Sequence, residues 1–208
     1  GLSVARSAAD LGMSVTLLER DRRLGGHAAD WACMATDACA RCSACLVQDL
    51  MAKVAAHPAV RIFTGAQVTG CQGEAGDFDL SVEPVQNGGG GPFALDAKCT
   101  LPARSVVLST GFEPYDPSDN LLLGYGHFNG VVTTRDLDTL LRRDDLGGFA
   151  PEGDAPLRVA FLQCIGSRRE RGGVPYCSKI SCMYTAKHTI LYKHKVHDGQ
   201  AFVFYMDV

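Results

Sequence analysis

The chain has 208 residues, 46% hydrophobic and 21% charged, with a net charge of −3. That is ordinary globular composition, enough for one large domain or two small ones, and it gives no reason to expect nucleic acid or an acidic membrane surface as a partner. No apolar run approaches the roughly 20 residues of a membrane span, and no basic stretch followed by an apolar core opens the chain as a signal peptide would.

Nine cysteines, an odd number unevenly clustered, argue against a secreted disulfide framework. They point to a cytoplasmic protein with metal or redox chemistry. The first residue is Gly rather than Met, and the opening lies inside a predicted helix with no strand before it. The chain reads as a fragment cut at both ends, so its first strand is expected to be missing and its own affinity for a dinucleotide weak.

In chain order, Leu2 to Leu11 carries apolar and small residues at helical spacing, and Gly12 ends the predicted helix. Ser14 to Leu18 is a short β-rich run that closes on Glu19. A glycine, a helix, a strand and an acid about 20 residues on form the back half of a βαβ dinucleotide unit. Gly1 would let the helix pack closely on the sheet, and the helix N-terminus would face a pyrophosphate. Glu19, Arg20 and the loop to Gly25-Gly26-His27 follow, and further on Arg104 to Gly111 reads as a buried strand ending in Thr110-Gly111. These elements resemble the FAD-binding flavoproteins of the two-dinucleotide-binding-domain class. The resemblance implies that Glu19 holds the adenosine ribose, that Gly25-Gly26 let the backbone approach the cofactor, and that Thr110-Gly111 lie near the flavin, with Ser109 in the usual alanine place. His27 stands either beside the flavin or as an ordinary packed or surface histidine.

Asp30 to Cys45 holds Cys33, Cys39, Cys42 and Cys45, with Trp31 alongside. Cys45 to His57 is a predicted amphipathic helix and Val60 to Thr64 a strand. Gln67 to Cys71, Phe78 to Glu83 and Phe93 to Cys99 are predicted antiparallel strands. Gln86 to Pro92 is a loose loop. Thr133 or Thr134 caps a helix, Arg135 to Arg143, with Asp136 in its first turn. Asp144 to Pro156 reads as a linker. A second α/β unit follows: strand Arg158 to Gln163, a cysteine loop, helix Ser178 to Lys195 and strand Ala201 to Met206.

The cysteine loop puts Cys164 after a strand, Cys177 at about a helix N-cap and Cys182 one turn on, among Arg168, Arg169, Arg171 and Lys179. Helix N-termini and cations favour the thiolate that metals bind. A [4Fe–4S] cluster takes four thiolates. Here the fourth place falls to Ser181, a cysteine of the first stretch, another group, or nothing. Cys39-x2-Cys42-x2-Cys45 leaves open a ferredoxin-like run, a zinc site, a redox disulfide at Cys42/Cys45, or plain thiols. Cys71 and Cys99 read as core residues. The loop Cys164 to Arg169 has no G-x-G-x-x-G, which speaks against a nicotinamide nucleotide there.

The run from Phe161 to Lys193, FLQCIGSRRERGGVPYCSKISCMYTAKHTILYK, preceded by GYGHFNGVVTTRDLDTLL and followed by FVFYMDV, closely resembles the flavoprotein A subunit of heterodisulfide reductase. It also resembles the flavin subunits of the quinone-interacting membrane-bound oxidoreductase. The upstream run from Cys42 to Val82 fits the same family. The resemblance implies an FAD-containing iron–sulfur electron-transfer subunit of a cytoplasmic complex, an oxidoreductase that works with other subunits. It implies that Cys164, Cys177 and Cys182 help hold a [4Fe–4S] cluster, with Ser181 where the family often has a cysteine. The short loop at Val85 to Pro92 replaces the family's inserted ferredoxin module, which favours the quinone-linked or an orphan branch over the bifurcating one.

The expected architecture is therefore α/β. Residues 1–115 form a partial Rossmann-like FAD domain with a Cys-rich insert and a small antiparallel β insert. Residues 116–155 connect it to a second Rossmann-like half at 156–208. Two other functions stay open: a flavin-dependent thiol–disulfide oxidoreductase using Cys42/Cys45, and a non-enzymatic subunit whose cysteines hold structural zinc.

Overall fold

Leu2–Asp10 forms helix α1, ended at Gly12 as its left-handed φ of 84° requires. The chain then turns into strand β1, Val15–Glu19, which pairs in parallel with β2, Val60–Thr64. Between them lies helix α2, Leu46–Ala55. The computed structural model describes residues 1–39, 42, 44–85, 91–149 and 156–207. Residues 86–90 and 150–155, within the expected loop and linker, lie outside the described residues. The chain divides into two compact units: residues 1–29 with 43–112, and residues 30–42 with 113–208.

In the first unit the period of two along β1 and β2 builds two cores. Leu17 and Ile62 face α1 and α2 and pack with Ala5, Leu24 and Val54. Their neighbours Leu18 and Phe63 face the opposite way, onto Ala66, Leu80, Val82 and Leu95. That second layer is the antiparallel sheet β3 (Ala66–Glu74), β4 (Asp77–Pro84) and β5 (Cys99–Ala103), in the order β3-β4-β5. The third strand begins where the sequence expectation ended. Phe93 to Leu95 instead crosses to β2 through a single bridge between Thr64 and Ala94, and Leu95 is buried. Pro102 fits in β5 because β5 is an edge strand of the described sheet.

Two further expectations fail here. Arg104 to Gly111 is not a buried strand: 105–110 carry no strand structure, and Val107 and Leu108 are 63% and 83% exposed. An apolar run becomes a strand only with a ladder partner, and no described strand pairs with it. Cys71 is exposed on β3 rather than buried; Cys99 is half-buried against the β-sheet core.

In the second unit, helix α3 (Thr134–Arg143) is capped by Thr133. Its hydroxyl accepts from the Asp136 amide, while the Asp136 carboxylate accepts from the Thr133 amide. Strand β6 (Arg158–Leu162) runs through the cysteine loop into helix α4 (Ser181–Lys195), which returns to the parallel strand β7 (Gln200–Phe204). This is the expected βαβ crossover. The core joins Leu137 and Leu141 of α3, Phe161 of β6, Leu191 and Tyr192 of α4, and Ala32 from the cysteine-rich stretch. The α4 residues that point inward are Thr185, His188, Leu191 and Tyr192, at 3, 3 and 1 residue steps along one face. Tyr192 is fully buried and donates to the Leu157 carbonyl at 2.6 Å.

Candidate functional site

The first unit gathers its expected dinucleotide residues at one end. α1 and β1 run antiparallel, so the N-terminus of α1 and the carboxyl end of β1, with Glu19, face the same way. In open α/β sheets that is where cofactors sit. No side chain caps α1 at Gly1, so the first helical amides are left for an anion. A Cβ built at Gly1 would meet Ser109 and Leu17 only at 3.7 and 3.9 Å, ordinary contact. Close packing therefore does not require glycine there, contrary to expectation, although Gly1 does lie beside the Ser109–Gly111 segment. The Glu19 carboxylate accepts from the Asp21 amide at 3.0 Å, which orders the turn after β1. Arg20 is exposed in that turn.

Gly25 and Gly26 both take left-handed φ, 102° and 53°. A Cβ on Gly25 would lie 2.8 Å from Ala29 Cβ and 2.8 Å from Met51 Sδ. Packing against α2 is thus a reason for glycine at 25 that needs no cofactor. His27 Nε2 lies 3.1 Å from the Phe112 carbonyl, and the two rings are 5.4 Å apart. This joins the Gly25–His27 turn to Thr110 and Gly111, whose φ is 70°. Gly1, Gly25, Gly26, His27, Thr110 and Gly111 thus fall into two linked neighbourhoods. The uncapped helix end and the acid at the strand end fit a dinucleotide.

In the second unit the cysteine loop is built on backbone strain. Cys164, Arg168 and Lys179 all have left-handed φ, near 60°. Each such residue costs of order 1–3 kcal/mol and persists only where its surroundings impose it. Three backbone hydrogen bonds close the loop: Arg168 to Tyr176, Arg169 to Val174 and Val174 to Gly166, each 3.0 Å. The Tyr115 ring lies so near Gly166 that a Cβ there would fall 2.2 Å from it. The Arg168 guanidinium forks onto the Asp207 carboxylate just beyond β7.

Helix α4 starts at Ser181, three residues later than expected. Cys177 is therefore not its N-cap but lies in the preceding turn, where its Sγ accepts from the Lys179 amide at 3.3 Å. The left-handed Lys179 breaks the helix there. Ser181 pairs its hydroxyl with Ser178 at 2.5 Å and gives its amide to the same oxygen. Cys164 and Cys182 are half-buried and Cys177 is exposed. Among the described residues, no three His, Cys, Asp or Glu side chains are placed to share one metal ion. As placed, Cys164, Cys177 and Cys182 do not form a cluster cage.

The first cysteine stretch spans the division of the chain. Cys33, Cys39 and Cys42 belong to the second unit and Cys45, just before α2, to the first. Cys33 is exposed and its Sγ accepts from the Ala35 amide at 3.4 Å. It opens onto a cleft of about 460 Å³ lined also by Arg142, His194 and Lys195. Lys195 is paired with Asp144 at 2.7 Å and Arg142 with Asp30 at 3.7 Å, so the cleft carries little net charge.

Sequence reasoning missed a buried polar network in the second unit. Asp138 is 2% exposed and accepts from Tyr184 OH at 2.9 Å, Lys187 Nζ at 2.9 Å and the Ala32 amide at 3.2 Å; His188 Nε2 lies 3.1 Å away. Burial alone would push the Asp138 carboxyl up. The hydrogen bonds from His188, Lys187 and Tyr184, with the Lys187 charge, outweigh it and hold the group at about 2. Burial, then the Asp138 charge, push Tyr184 up. A signal was present in the sequence: Tyr184, Lys187 and His188 recur at helical spacing on the face that holds the apolar Leu191.

No family profile matches the chain. Curated relatives do. The A subunit of the H2:CoB-CoM heterodisulfide,ferredoxin reductase of Methanothermobacter thermautotrophicus is 38% identical over 108 residues, covering 50% of this chain and 16% of that protein. The second of the iron-sulfur A subunits of the CoB–CoM heterodisulfide reductase of Methanopyrus kandleri is 25% identical over an alignment covering all of this chain and 42% of that protein. Its counterpart in Methanocaldococcus jannaschii is 24% identical with the same coverage. The chain spans less than half the length of these relatives, and alignments of 279 or 280 positions against 208 residues mean that they carry stretches it lacks. Along its whole length, then, the chain is similar to proteins named as heterodisulfide reductase A subunits.

Proposed function

We propose that the chain is the FAD- and iron–sulfur-dependent electron-transfer part of an oxidoreductase complex of the heterodisulfide reductase type, working with other subunits in a reducing cytoplasm. The observation that carries this reading is similarity over the entire chain to proteins named as A subunits of such reductases, three of them as iron-sulfur subunits. The odd, clustered cysteine count fits a reducing compartment. No helix among the described residues is long and apolar enough to cross a membrane.

When bound, a flavin supplies a two-electron step that can be split into single-electron steps. The protein's task is to hold and orient it. Glu19 would accept hydrogen bonds from the ribose hydroxyls, the open amides of α1 after Gly1 would receive the pyrophosphate, and the Gly25-Gly26 turn would let the backbone approach the cofactor. His27, Thr110 and Gly111 border the same end, with Arg20 at its rim. The candidate iron ligands are Cys164, Cys177 and Cys182, with Cys39, Cys42 and Cys45. The trio on the loop needs closer approach and a further donor, and Ser181 is already engaged by Ser178.

The test is the visible spectrum and metal content of anaerobically purified full-length protein. Flavin bands with iron support the reading. Flavin without iron supports a thiol–disulfide oxidoreductase, and zinc alone a scaffold. Glu19→Ala should weaken FAD binding about tenfold or more, the loss of a charge-assisted hydrogen bond; unchanged affinity in a titration of the variant refutes that role. Cys177→Ser should lower the iron content, and unaltered iron would remove Cys177 from the ligand set.

A further inference from the structure

Helix α3 presents one face to the stretch that carries Cys33. Arg135, Asp138 and Arg142, three and four residues apart, line that face. The contact combines ion pairs from Asp30 with an apolar seat and one backbone hydrogen bond at Ala32. Asp30 pairs with Arg142 at 3.7 Å and Arg135 at 4.0 Å. The Ala32 methyl enters the core beside Leu137 and Leu141. The Ala32 amide donates to Asp138 Oδ1.

The same carboxylate is gripped from the other side by Tyr184, Lys187 and His188 of α4, the helix that carries Cys182 in its first turn. Lys187 also lies 5.2 Å from the Tyr184 ring centroid, and Tyr184 and His188 rings are 4.3 Å apart. One residue thus connects two cysteine-bearing segments that are far apart in sequence.

Stability alone is a poor reason for such a network. Buried ionic groups are often replaceable by apolar residues without loss. This one is also incompletely satisfied: His188 is fully buried and its Nδ1 has no hydrogen-bond partner, which costs about 1–3 kcal/mol. What the network does accomplish is directional. It accepts from a single amide of an otherwise irregular stretch and sets that stretch against α4.

We propose that Asp138 is a positioning residue that fixes the Cys33-bearing stretch to α3 and to the first turns of α4. The inference rests on the geometry of the second unit and does not depend on the flavin or iron reading.

The chain supplies its own reporter. Trp31 is its only tryptophan, sits next to Ala32 and is 44% exposed. In full-chain protein, Asp138→Ala should shift Trp31 emission to the red and raise its acrylamide quenching about twofold, as expected when a docked stretch detaches locally. Asp138→Asn keeps an acceptor oxygen for Ala32 and should fall between. Should Asp138→Ala fail to fold because Lys187 is left buried and unpaired, the double variant Asp138→Leu, Lys187→Met removes both charges. It should retain the far-UV signal and still release Trp31. In urea the Trp31 transition of these variants should precede the far-UV transition, whereas in the wild type the two coincide. Wild-type quenching in the folded double variant overturns the proposal. So does a Trp31 signal that moves only together with global unfolding, which is the mark of a purely structural role.

Discussion

Asp138 is held below its ordinary 3.8, at about 2, and this sets how the second unit responds to acid. The groups facing it are Tyr184, Lys187 and His188 from α4 and the Ala32 amide. A depressed carboxyl pKa adds stability above its unfolded value and loses it as pH falls through the folded one. The contribution, on the order of 2 kcal/mol, should be intact at neutral pH and disappear between about pH 4 and pH 2. A Trp31 emission titration should be flat down to pH 4 and change below it; a transition centred near pH 6 would assign the control to a histidine instead. Gly25 is a second residue whose identity is set locally. With φ of 102° and no room between Ala29 and Met51, Gly25→Ala should lower stability by about 1–3 kcal/mol, seen as a lower urea midpoint. An unchanged midpoint would mean that the turn relaxes freely.

At the level of elements, α3 is the best-specified helix of the second unit. The reciprocal Thr133–Asp136 box starts it, and Arg142 and Arg143 close its last turn. Thr133→Ala should cost about 1 kcal/mol. Because α3 also holds the Cys33-bearing stretch, the loss should register in Trp31 fluorescence as well as in the melt. The start of α4 is the contrasting case. Residues 178–180 have helical composition, yet Lys179 adopts a left-handed conformation and Ser178 caps the amide of Ser181. Propensity placed the helix end three residues early because the closure of the loop by Arg168, Val174 and Tyr176 outweighs it. The strand expectation at Arg104 to Gly111 failed for a related reason. Its β-branched and apolar residues are real, but a strand exists only as half of a pair.

Over the whole molecule, each unit has its own core, so each should answer to its own substitutions. Ile62→Ala and Leu141→Ala remove buried side chains from the first and second unit, and each should cost about 2–5 kcal/mol. Hydrogen exchange should rise in β1 and β2 for the former and in α3 and α4 for the latter; equal acceleration in both units would show one cooperative core. The sequence by itself determined the α/β class, α1, β2, the α3 cap and the βαβ crossover around α4. These rest on local periodicity, capping chemistry and turn glycines, which act within a few residues. It also carried the resemblance to heterodisulfide reductase A subunits, through the long run around the cysteine loop. Only the tertiary structure decided that Gly25 serves packing on α2, that Cys71 faces solvent, that Cys177 precedes rather than caps α4, and that Asp138 joins Ala32 to Tyr184, Lys187 and His188. The packing of Gly25 on Met51 and the Asp138 network depend on partners tens of residues away, and the place of Cys177 on the closure of its whole loop; no local pattern encodes which distant amide or ring a side chain will meet.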